Sequence, residues 1–172
     1  GLSFLTPDEM NSEQKQYISN YFEKVLFPVL TPLAVDTSRP FPMLANKSLN
    51  IAVRLKNGEE SLFALVQVPS ILPRFLEIPS SSGRAFVLME DVIISKLDVL
   101  FELHEIVAYS LFRMTRNSDL EIDEEAEDLM TEIQKSIKKR KRGRPVRLEL
   151  LQKCDSETKK FLVEMLRLKK GD

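Results

Sequence analysis

Cysteine and histidine are almost missing from this chain of 172 residues: Cys154 and His104 are the only ones. A lone cysteine can form no internal disulfide, and no secretory signal is visible, so a reducing cytoplasm is the expected setting. A lone histidine excludes a multi-histidine metal site and leaves no second imidazole for a relay. Glycine is sparse as well. Gly58, Gly83, Gly143 and Gly171 stand singly, none with the Gly-Lys-Ser/Thr sequence of a phosphate-cradling loop. Long apolar runs are missing too: Val25 to Val35 is interrupted by Pro28, Thr31 and Pro32, against the roughly 20 apolar residues a span requires. The formal net charge is −1, so no overall field steers the molecule toward polyanions, and any such contact must come from a local patch.

What is present fits one globular domain. An apolar share of 43% and a charged share of 30% are those of a folded, soluble chain with its own core. The chain opens on Gly1 rather than methionine and is read as a piece of something larger. No internal repeat is visible.

Thr6-Pro7-Asp8-Glu9 has the form of a helix start, with a threonine cap, proline at the first position and a glutamate reaching back. Met10, Tyr17, Ile18, Tyr21, Val25 and Leu26 follow at helical spacing, and Pro28 should end that helix. Thr31 to Asn46 is studded with prolines and reads as an ordered irregular crossing. Ser48 to Lys56 alternates as a strand, Asn57-Gly58 is a turn, and Leu62 to Val68 returns as its partner. Phe75 to Ile78 and Ala85 to Met89 read as a shorter pair around a serine-rich tip, followed by a short helix from Glu90 through Leu97.

Glu105 to Arg113 is apolar in both alternating sets, Ile106, Ala108 and Phe112 against Val107, Tyr109 and Leu111. That pattern predicts a central strand covered on both sides. A helix over about Glu124 to Lys139 carries acids at its start and bases at its end, complementing the helix dipole. Val146 to Leu151 reads as another strand. Asp155 or Ser156 caps a last helix with Phe161, Leu162, Met165 and Leu166 on its apolar face. The expected class is α+β: a single domain with a mixed β-sheet, packed helices and an N-terminal helix.

Candidate chemistry is thin. His104 could accept a phosphate, because imidazole is nucleophilic near neutral pH, but an edge-of-strand residue placed by packing or solvent is the favoured reading. The acids Glu121, Asp123, Glu124, Glu125, Glu127 and Asp128 lack calcium-loop spacing and suit a charged first helical turn. Cys154 sits in a polar turn without a partner. The run Lys138, Lys139, Arg140, Lys141, Arg142 and Arg144 could neutralise successive phosphates of a polyanion. A helix exit also favours bases locally, and no aromatic residues interleave to stack on nucleobases. Arg113 and Arg116 bracket Thr115 at a strand end. They are read as structural or interface anchors gripping a carboxylate such as Asp119 or Asp123, within the fold or across a subunit contact.

Phe112 to Leu120, then Glu124-Glu125, Arg140-Lys141-Arg142-Gly143 and Val146-Arg147-Leu148-Glu149, resembles the middle, or head, domain of the bacterial polyphosphate kinase family. Phe27-Pro28-Val29-Leu30-Thr31-Pro32-Leu33-Ala34-Val35-Asp36, Ser48-Leu49-Asn50, Pro73-Arg74-Phe75 and Leu88-Met89-Glu90-Asp91 agree in order. The resemblance covers almost the whole chain. It implies that residues 1–30 are an N-terminal helix and linker from the preceding domain junction, and that residues 31–172 are the head domain.

It also implies a four-part cytoplasmic parent enzyme, with peripheral association at the inner membrane as an alternative. Such an enzyme moves the terminal phosphate of ATP reversibly onto polyphosphate through a phosphohistidine, with magnesium. The family's phospho-accepting histidine and phosphate-gripping arginines lie in other domains, and His104 does not match that motif. The expectation is therefore no catalytic, cofactor or metal residue here, with ATP and Mg left to the parent. The expected role is a structural, dimer-forming head domain contacting the other domains of its chain and a second subunit. The alternative is a polyanion-binding module using the basic run, with polyphosphate rather than a specific nucleic acid as its ligand.

Overall fold

Residues 1–35, 41–58, 60–117 and 143–169 are described by a computed structural model of the chain. The alternation from Leu49 onward folds as expected into β3 (Leu49–Asn57), which pairs antiparallel with β4 (Glu60–Gln67). Gly58, at a φ of 63°, takes the left-handed turn position that the side chain of most other residues would strain. On its other edge β3 pairs antiparallel with β7 (Glu105–Arg116), which runs three residues past the expected end at Arg113. A short β2 (Leu33–Val35), inside the proline-rich crossing, joins the free edge of β4, and β8 (Pro145–Leu150) joins β7. The order is β2-β4-β3-β7-β8.

A second sheet holds three strands. β5 (Phe75–Ile78) and β6 (Arg84–Leu88) are the expected short pair, and β1 (Leu2–Phe4) lies parallel to β6. The α+β class is as expected, but the strands divide between two sheets and only the smaller one is mixed. The physical reason lies at Pro69 to Arg74. This turn ends the β4 direction before β5 begins, so β5 finds its partner in β6.

The N-terminal helix is segmented. Glu9 accepts bonds from the Thr6 backbone N–H (2.8 Å) and hydroxyl (2.9 Å), as the motif predicts, yet the turn closes after Pro7–Glu9. A second reciprocal cap starts α1 (Ser12–Tyr21): Asn11 Oδ1 accepts from the Gln14 N–H at 2.9 Å, and Gln14 Oε1 from the Asn11 N–H at 3.1 Å. A widened turn over Phe22–Leu26 and a tight one over Phe27–Val29 complete the segment, with Pro28 at its end. Met10, Ile18, Phe22, Leu26 and Leu30 are buried in one cluster with Ile51, Val53, Ala64 and Val66 of the large sheet. The two stretches that the sequence divides at residue 30 thus share a core.

That cluster also takes in β6, α2 (Met89–Ile94) and Leu97 of α3 (Leu97–Leu100). The opposite face of the large sheet, through Ala52, Leu65, Phe112 and Met114, is covered by Leu44 and by α4 (Ser156–Met165) with Leu162 and Leu166. One extra residue in β7, Val107, faces the Arg54/Leu55 step of β3. This bulge puts Ile106 beside Leu55 in the first core while Phe112 lies in the second, so the single face expected for Ile106, Ala108 and Phe112 is corrected. Val107 and Tyr109 are exposed, so the expectation of a strand covered on both sides is corrected over the first half of β7, where the burial pattern alternates. The helix expected over Glu124 to Lys139 lies outside the described residues. Among the described residues, no helix is long and apolar enough to cross a membrane.

Candidate functional site

The end of the large sheet, where β3 begins and β7 finishes, gathers charged side chains from three separate elements. Lys47 enters β3 through a left-handed conformation (φ 62°), and its N–H donates to the Met114 carbonyl at 2.9 Å. Asn50, fully buried, donates from Nδ2 to the Ser48 carbonyl at 2.8 Å, and the Ser48 hydroxyl closes the turn on the Ala45 carbonyl at 2.8 Å. These bonds hold the Lys47 side of the site in place.

Arg113 stands opposite Leu49 on one side and Glu149 on the other. Its Nη1 is 3.9 Å from Glu149 Oε2, while Arg147 Nη2 approaches Glu149 Oε1 at 2.9 Å. Glu149 is thus engaged first by Arg147. Among the described residues, the Arg113 Nε is buried without an acceptor. Such a group is uncommon in a folded interior and marks an arginine only partly satisfied by the protein.

Arg74 supplies the facing wall. Its Nε donates to Glu90 at 2.9 and 3.2 Å, and its Nη2 makes a further close contact with the same carboxylate. Glu90 is 1% exposed whereas the Arg74 side chain is 50% exposed, so the pair reaches from core to surface. Hydrogen bonding to Glu90 raises the Arg74 pKa further, and burial followed by the Glu90 charge raises that of the neighbouring Asp91. Lys47, Arg74 and Arg113 line a groove of about 360 Å³ together with Leu49, Val68 and Leu72.

Arg116 acts differently. Its Nη1 donates to the Gly143 carbonyl at 2.9 Å and its Nη2 to the Leu44 carbonyl at 3.3 Å, and its backbone N–H donates to Asn46 Oδ1 at 2.9 Å. Burial lowers its pKa. It ties the crossing segment to the approach of β8 through carbonyls. Thr115 sits half-buried opposite Arg147 in the ladder. Asp119 and Asp123, expected as carboxylate partners, lie outside the described residues, as do Lys138, Lys139, Arg140, Lys141 and Arg142. Arg144 is described and exposed, and its carbonyl accepts from the Asn117 N–H at 2.8 Å.

His104 is half-buried in the turn before β7, its N–H donating to the Phe101 carbonyl at 2.9 Å, beside a shallow cleft with Phe27, Val99 and Leu103. Cys154 is half-buried, with Sγ 3.5 Å from the Asp155 carbonyl. Among the described residues, no cluster of three or more His, Cys, Asp or Glu is placed to hold a metal ion. Lys47, Arg74 and Glu90 were not singled out as a site by sequence. Arg74 and Glu90 stand 16 positions apart, and no periodicity links them.

Fold and site together define a two-sheet α+β domain with Lys47, Arg74 and Arg113 at one end of the large sheet. Residues 13–172 match the model of the polyphosphate kinase middle domain, and the chain belongs to that family. It is 47% identical to a polyphosphate kinase of Halalkalibacterium halodurans, over all of this chain and 25% of that protein. A polyphosphate kinase of Exiguobacterium sibiricum is 48% identical over 87% of this chain and 22% of its own length. The crystal structure of polyphosphate kinase from Porphyromonas gingivalis shares the fold, with a TM-score of 0.77 at 23% identity, covering 98% of this chain and 24% of that one. The chain thus spans about a quarter of the length of these relatives.

Proposed function

We propose that this chain is the non-catalytic head domain of a longer cytoplasmic polyphosphate kinase, orienting the domains around it and forming a contact between subunits. The parent enzyme would carry the transfer of the terminal phosphate of ATP to polyphosphate, with its phosphohistidine, ATP and magnesium sites in other domains. The observation that carries this reading is the match to a middle domain across residues 13–172 in a chain a quarter as long as its relatives. The geometry supports it. Arg74 is paired with the buried Glu90, and Arg116 ties the crossing segment to the approach of β8 through backbone carbonyls, as a structural role requires.

Sedimentation across protein concentration, at low and high salt, tests the scaffold role. A dimer surviving high salt without ligand is the expected result, because apolar contacts respond little to ionic strength. A monomer at every concentration would overturn the subunit role for the isolated domain. Incubation with labelled ATP and magnesium should leave no acid-labile phosphate on His104, and label there would overturn the non-catalytic reading.

A further inference from the structure

We infer that the groove between Lys47, Arg74 and Arg113 is a binding site for tetrahedral oxyanions of the phosphate class, whether or not the domain self-associates. The three cations come from three elements: the entry to β3, the segment before β5, and β7. Their charges are not equally neutralised. Arg74 is held on Glu90 through its Nε and Nη2, which fixes the guanidinium plane and leaves Nη1 without a bond to that carboxylate. Among the described residues, Arg113 has one outlying contact, with Glu149 at 3.9 Å, a carboxylate that Arg147 holds more closely at 2.9 Å, and its Nε has no acceptor. Lys47 is exposed and makes no ion pair with a described carboxylate.

The shape of the donor set selects the ligand. A planar carboxylate is satisfied by one arginine edge, as Glu90 is by Arg74. Donors brought to one groove from three elements suit an anion with acceptor oxygens pointing in several directions, which is the geometry of a phosphate group. Leu49, Val68 and Leu72 give the groove apolar lining, and Ser48 and Ser70 add hydroxyls, with no carboxylate among the lining residues. At about 360 Å³, the groove is open enough for linked phosphates as well as a single one. Glu90 is buried behind Arg74, and neither Glu90 nor Glu149 lines the groove.

Calorimetric titration of the whole chain at low ionic strength tests this, with inorganic phosphate and tripolyphosphate as separate probes. Binding of either is expected, weakening by about tenfold in Arg113→Gln and in Lys47→Gln and remaining unchanged in Arg84→Gln. Arg84 lies on the small sheet, paired with Glu77 at 2.7 Å, and controls for loss of charge as such. Binding of tripolyphosphate alone would assign the groove to linked phosphates, and binding of both to the phosphate group itself. Lys47→Gln keeps the test decisive if Arg113→Gln does not fold, because Lys47 is exposed. No binding of either probe would overturn the site. Binding that survives both groove variants would also overturn it, including binding abolished instead by neutralising the run from Lys138 to Arg144. Neither result depends on the sedimentation behaviour, so the two readings fail separately.

Discussion

At the scale of single residues, stability hangs on a few ionic and capping groups that bridge core and surface. Arg74 is the only described cation bonded to the buried Glu90 carboxylate. Removing one partner of a buried pair leaves a charge without compensation, and half-exposure of Arg74 reduces that cost. Arg74→Ala is therefore expected to lower unfolding stability by about 2 kcal/mol in urea titration. The Arg74→Ala/Glu90→Gln double variant should recover part of it, because the stranded charge is gone. Asp155 caps α4, accepting from the Thr158 N–H at 3.1 Å with Arg54 Nη2 at 3.4 Å. Burial raises its pKa, but hydrogen bonds from Thr158 and the Arg54 charge outweigh this and hold it below the usual aspartate value. A depressed folded pKa means that its stabilisation is complete above the unfolded value and fades as pH falls through the folded one. Asp155→Asn should therefore flatten the loss of stability below about pH 4, read from thermal melts across pH. This cap was legible in sequence, because a capping residue and its helix are neighbours. The Arg74–Glu90 pair was not, since the contact depends on how β5 and α2 come together.

At the scale of elements, the periodic segments were the legible ones. β3, β4, β5, β6 and α4 lie where alternation, turn residues and caps put them. β1 and β2 were missed because three-residue strands carry too short a pattern, and β2 is buried in a proline-rich stretch. The bulge at Val107 escaped notice for another reason. A run apolar in both alternating sets looks the same whether or not its phase shifts by one residue. α4 is held to the sheet by Leu162, which is 0% exposed, and by the Phe161 ring stacked on Phe63 at 3.8 Å between centroids. Leu162→Ala should cost about 2–5 kcal/mol in chemical denaturation. A Phe63/Phe161 double-alanine cycle should show a coupling of about 1 kcal/mol, and zero coupling would mean that the stacked pair adds nothing beyond its buried area.

At the scale of the whole molecule, the large sheet separates two unequal cores. The larger one unites α1, α2, β6 and the sheet, while the smaller one rests mainly on α4 and Leu44. Native-state hydrogen exchange should release α4 amides through a partial opening of lower free energy than that of β3 and β4, and equal protection in both would contradict this division. β1, at the very start of the chain, has a further consequence. Residues 1–12 precede the matched middle-domain span, yet Leu2, Ser3 and Phe4 pair with Arg84, Ala85 and Phe86, and Met10 is buried. Gly83, at a φ of 78°, lies so close to Gly1 that a Cβ there would stand 2.3 Å from the Gly1 carbonyl oxygen. A boundary drawn where the middle-domain match begins would therefore cut through a folded unit. A polypeptide trimmed to start at residue 13 would leave the β6 edge unpaired and open a gap where Met10 was, and it should melt lower and clump more readily than the full 172 residues.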